Sequence, residues 1–335
     1  GGVMITIDDA QCRRIAERLD RVEVRPDAFA VRPATAEERR REANLLFYPV
    51  GICQSTRTLQ GTLDGRWYRG WDYMARAARR ALAADPEAFS AERLAAISGD
   101  ALRAILADAG DPASSTLDRI DERVAQLHDA ARLMLDRYGG DVMALYEAAG
   151  RRVEGEGGIL ARLAECNAYR DPIRKKAFLL TMFLVESGVW EVRDLENLRV
   201  AIDYHIMRIA LRSGIVRVED ASLAARLRGR GPVSEEEDNA IREAVREACH
   251  RIVGASRQTV FAVDNILWSM GRNCCFYDYD PICGPNACTR RDVCTFVTGI
   301  DYDCPGRCLF DGVCLGSREA DYRAYWETNL YTDYY

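Results

Sequence analysis

Eight of the twelve cysteines lie between Cys274 and Cys314, just after a segment, Val263 to Arg272, that reads as the end of a helix. Several thiolates in one short loop make a soft-ligand cage suited to an iron–sulfur cluster or to zinc, with a disulfide framework as the third use. Only reduced thiols bind metal, so the metal reading places the chain in a reducing compartment, the cytoplasm. A second candidate is Asp203, in Val200-Ala201-Ile202-Asp203-Tyr204-His205-Ile206-Met207-Arg208. A carboxylate that opens a helix can serve simply as a charge complementing the helix dipole. The third is a pair. Of 46 Lys and Arg, only Lys175 and Lys176 are lysines, and they are adjacent. A chain biased toward Arg explains this plainly. The functional alternative is that an amine is needed there, because Arg neither deprotonates nor forms a Schiff base.

The bulk of the chain narrows the classes. With 48% hydrophobic and 29% charged residues over 335 positions, it can bury a full core in one large domain or two ordinary ones. No apolar run reaches membrane-span length, and Gly1-Gly2-Val3-Met4 reads as leftover residues before a native Met, not a signal peptide. A soluble cytoplasmic protein is expected, with no membrane partner. The net charge of −6 argues against a broad duplex-DNA footprint.

The elements that must position these residues read as nearly all helix. Helices are expected over 36–48, stopped by Pro49-Val50-Gly51, and over 72–83. Ser90 and Ser98 each start another, and a long amphipathic helix over 115–137 ends at Gly139-Gly140. Shorter helices follow at 141–149 and 157–166, and an apolar, centrally buried one at 174–187. The last two are 201–213 and 234–254, the latter with a Ser234/Glu237 capping box. Asp64-Gly65 marks the one plausible hairpin, over 64–71. Short connections favour one compact α-domain with two lobes over 1–270. A Cys-rich metal loop over 271–316 and a Tyr-rich tail over 317–335 complete the expected organisation.

Several strings resemble known families. Gly271-Arg272 followed by Cys275, Cys283, Cys288 and Cys294, spaced C-x7-C-x4-C-x5-C, resembles the iron–sulfur loop of endonuclease-III-like DNA glycosylases, C-x6-C-x2-C-x5-C. Cys274, Cys304, Cys308 and Cys314 would remain for a possible second site. Ile202-Asp203-Tyr204-His205 is similar to the V-D-x-H segment of helix-hairpin-helix glycosylases, whose Asp is catalytic. Those enzymes carry a Gly-rich hairpin ending in K-T-A, whereas Tyr169-Arg170-Asp171-Pro172-Ile173-Arg174-Lys175-Lys176-Ala177 has no Gly-x-Gly. A further set, in common order, resembles the queuosine salvage protein family, which are queuosine 5′-phosphate N-glycosylases. It comprises Gly65 to Trp71, Phe89 to Ile97, Arg170-Asp171 with Lys175-Lys176-Ala177, and Ile202 to His205. Ser234, Glu237, Ile241 and Arg242 follow, and Asp264-Asn265-Ile266-Leu267-Trp268 ends the set. The family's Pro-Gln after its Asp is here Met207-Arg208.

The resemblance implies an all-α, helix-hairpin-helix DNA-glycosylase-like fold and hydrolysis of the N-glycosidic bond of a (7-deaza)purine nucleotide. Asp203 would stabilise the oxocarbenium-like transition state and direct water. Asp264 would face the same pocket. Tyr68 or Trp71 would stack on the base, while Lys175, Asp171 and Arg208 would hold the rest of the nucleotide. The cysteine loop would carry a structural [4Fe-4S] cluster, or zinc. The rival within the same fold is a base-excision repair DNA glycosylase acting on duplex DNA or RNA, with Lys176 as a lyase amine.

Overall fold

The computed structural model describes residues 2–27 and 30–335. Among them, sixteen α-helices and four short 3-10 helices account for 52% of the chain, accompanied by small two-stranded sheets. The chain divides into two compact units, one built from residues 1–30 with 199–331 and the other from 31–198 with 332–335. This cuts the chain differently from the expected division at 270 and 316. The Cys-rich segment and most of the tail belong to the first unit, together with the N-terminal residues.

The first unit is organised by four helices. Asp9–Leu19 buries Cys12, Ile15, Ala16 and Leu19 at helical spacing and packs on Glu235–Ala255. Glu235–Ala255 begins with the expected capping box: Ser234 accepts from Glu237 N–H, and the Glu237 carboxylate accepts from Ser234 N–H. Tyr204–Ser213 packs on Val260–Asn273. Gly271 allows that approach, since a Cβ there would stand 2.6 Å from the His205 Cβ. Strand Ile5–Ile7 pairs antiparallel with Val216–Val218, placing Ile5 opposite Val218, and Glu23–Val24 pairs with Ile300–Asp301.

In the second unit, Ala36–Gly51 packs on Gly70–Ala84 and on the apolar Lys175–Glu186 helix, and Ile120–Tyr138 supplies a further long element. Strands Gln60–Leu63 and Arg66–Arg69 form the expected hairpin. Its turn residues, Asp64 and Gly65, have φ of 51° and 79°, the left-handed pair that a two-residue hairpin requires.

Boundaries shift where packing outweighs local signals. The first helix of this unit runs through Pro49 to Gly51, because Leu45, Phe47, Tyr48 and Val50 are all buried along it. The long helix starts at Ile120 rather than 115, after a 3-10 turn at Pro112–Ser114 and a left-handed Arg119. The helix expected over 201–213 begins at Tyr204, since Asp203 caps it. Asp9–Leu19 and Ala221–Arg228 go beyond the expected set.

Candidate active site

In the first unit the chain arrives at Asp203 through Ala201 and Ile202, all buried. Three hydrogen bonds fix this approach. The Ala201 N–H donates to Asp264 Oδ2 at 2.8 Å, and the Arg242 guanidinium donates to Ile202 O through Nε (3.3 Å) and Nη2 (2.9 Å). Asp203 Oδ1 then accepts from the Ile206 N–H at 3.0 Å, capping the Tyr204–Ser213 helix. The positive end of that helix favours negative charge at this position. Asp264 and Asp203 thus act on one short segment. Arg242 stood in the expected family signature without a role, and its burial and bonds to Ile202 supply one.

Arg208 faces another way. It is fully buried, donating from Nε to Cys275 O (2.7 Å), from Nη1 to Glu327 Oε2 (2.8 Å) and from Nη2 to Gly271 O (2.7 Å). It ties the start of the cysteine loop and the 325–328 stretch to its helix. The signal that sequence could not carry is Glu327, its ion-pair partner, 119 positions away. One turn on, the buried Arg212 donates from Nε to Tyr325 O (2.7 Å) and from Nη1 to Cys275 Sγ (3.2 Å), and lies over the Trp326 ring.

In the second unit, Asp171 is buried and both its oxygens accept backbone N–H groups, Ile173 on Oδ1 and Lys175 on Oδ2, each at 2.9 Å. It shapes the turn, with Arg174 in a left-handed conformation, that starts the Lys175–Glu186 helix. The Lys175 Nζ lies 3.5 Å from Cys53 Sγ. The Lys176 Nζ is fully buried against three oxygens: Gly51 O (2.7 Å), Gln54 Oε1 (2.8 Å) and Asp333 O (2.8 Å). Burial pulls this amine down to about 7, while those acceptors take up all three protons of an ammonium. Through Asp333 O, Lys176 fastens residues 332–335 to their unit. Tyr68 is half-buried with the Arg76 guanidinium 4.7 Å from its ring centre. Trp71, also half-buried, stacks on Phe183 at 5.6 Å.

The cysteines separate into two groups. Cys274, Cys275, Cys283, Cys308 and Cys314 line one small cavity in the first unit, beside Arg212. Cys288, Cys294 and Cys304 do not line it. Of the expected ligand set, Cys275 and Cys283 therefore share a cavity, while Cys288 and Cys294 stand elsewhere. All the thiols are free, and among the described residues no three or more His, Cys, Asp or Glu form a group that could hold a metal ion as they stand.

Residues 44–276 match the model of the queuosine salvage protein family. The chain belongs to that family. No curated protein matches it. As a family member, it carries within the matched stretch the Ala201–Asp203 approach, Asp264, Arg242, Asp171, both lysines, Tyr68 and Trp71. The match ends one residue beyond Cys275, so Cys283 to Cys314 fall outside it. No helix of the described residues is long and apolar enough to cross a membrane.

Proposed function

We propose that this queuosine salvage family member is an N-glycosidase of helix-hairpin-helix glycosylase type, hydrolysing a (7-deaza)purine nucleotide resembling queuosine 5′-phosphate to the free base. The observation that carries the reading is the buried Asp203, held at a helix N-terminus by a segment pinned at Ala201 and Ile202. Breaking the bond between C1′ and the base sends its electron pair to the base and leaves positive charge on the sugar. A fixed carboxylate stabilises that charge and takes the proton of the incoming water as its oxygen bonds to C1′; that proton then passes to the departed base, leaving the carboxylate charged again.

Asp203→Asn tests this cleanly. Asn caps helices about as well as Asp, so the fold should keep its stability to within about 1 kcal/mol. The charge is lost, so base release from queuosine 5′-phosphate, followed by chromatography, should fall by at least roughly 100-fold. A variant that turns over at the native rate would remove Asp203 from the chemistry.

A further inference from the structure

We infer that Cys275, Cys283, Cys308 and Cys314 ligate an iron–sulfur cluster that Arg212 holds by charge. The first observation is the donor set: five thiols from separated positions line a single cavity, beside the ends of the Tyr204–Ser213 and Val260–Asn273 helices. They share one cavity yet, as they stand, form no group that could hold a single metal ion. A lone zinc ion draws each sulfur to about 2.3 Å, whereas a cluster core fills the interior that its thiolates surround.

The second observation is independent. Arg212 is buried and lines the same cavity, and its Nη2 has no hydrogen-bond partner. A buried cation with an unsatisfied donor calls for an anion. Thiolate-ligated clusters supply one, with sulfur acceptors, once the four thiols release their protons on binding. Arg212 Nη1 already points to Cys275 Sγ at 3.2 Å, which selects Cys275 over its neighbour Cys274. The Phe310 N–H donates to Cys308 Sγ at 3.4 Å, a second contact of the type that tunes cluster potentials. The ligands would join the end of the Val260–Asn273 helix to the 283–314 loop, outside the family-matched residues for all but Cys275.

The full chain, purified without oxygen, is the material for the test. Iron and acid-labile sulfide should each approach about four per chain, with the broad visible absorption of a brown protein. Cys283→Ser, Cys308→Ser and Cys314→Ser should each lose most of the iron. Cys274→Ser, Cys288→Ser and Cys294→Ser should keep it. Should the ligand variants not fold, alkylation of the native protein read by mass spectrometry decides instead. Cys275, Cys283, Cys308 and Cys314 should be protected until the iron is stripped, while Cys288, Cys294 and Cys304 react throughout. One zinc without sulfide, no bound metal, or protection of Cys288 and Cys294 in place of Cys308 and Cys314 would each overturn the assignment.

Discussion

At the scale of single residues, Lys176 shows how far chemical type can be read without its surroundings. The only two lysines in the chain were conspicuous, and an amine that Arg cannot replace suggested a nucleophile. What the string could not display was the oxygen cage, since two of its members, Gly51 and Gln54, come from far upstream and Asp333 from the last residues. The same holds for Arg208, whose Glu327 partner has no sequence signature. Asp203 was legible because a cap acts on the turn that follows it, within three residues. Burial of Lys176 has a pH consequence. The unfolded chain keeps this proton up to about 10.5, whereas the native amine releases it near 7. Between those values the unfolded state binds the extra proton, so the Lys176 contribution to stability rises with pH through the window and is flat below it. Urea unfolding of the native protein and Lys176→Met, compared across this range, should show a stability difference that climbs by up to about 1.4 kcal/mol per pH unit. A difference that stays level would mean that the three oxygens hold the ammonium near its ordinary range.

At the scale of elements, the helices were readable where side chains act locally. Ser90, Ser98 and Ser234 each accept an N–H three residues on, and Gly139 closes the long helix in a left-handed conformation. The three-residue strands were not, because so short a stretch has no measurable alternation and its partner lies over two hundred residues away. The approach to Asp203 is an element of this second kind: residues 199–203 have no regular structure and are held from outside by Asp264 and Arg242. Asp264 therefore works as a positioning residue, whatever else it touches. Asp264→Ala removes the acceptor for the buried Ala201 N–H and should cost about 1–3 kcal/mol of stability. It should also lower kcat far more than it changes KM, because the carboxylate of Asp203 loses its placement and not its charge. Asp264→Asn keeps an oxygen in reach of that N–H and should restore much of the rate. Equal losses in the two variants would instead assign the Asp264 charge itself to the reaction.

At the scale of the whole molecule, the first unit draws on both ends of the described chain, an arrangement that linear order conceals. Residues 1–30 join 199–331 through the Ile5–Ile7 pairing and the Asp9–Leu19 packing, contacts whose entropy of closure grows only slowly with the length of chain between them. Charge, by contrast, is a property of the whole that composition states outright. At −6 the protein opposes the polyanionic duplex that a repair glycosylase must grip. Many of its arginines are also engaged with carboxylates, among them Arg79 with Glu42, Arg217 with Asp8 and Arg226 with Glu237. A free nucleotide makes no such demand, since one phosphate needs only a local donor set. Fluorescence anisotropy with labelled duplex DNA should therefore detect no binding tighter than about 100 μM at physiological salt, the weak end of non-specific affinity. Hydrolysis of queuosine 5′-phosphate should be indifferent to excess duplex in the same tube. A log–log salt slope near −6 or steeper, as several neutralised phosphates produce, would move the protein to the repair branch and make the duplex its substrate.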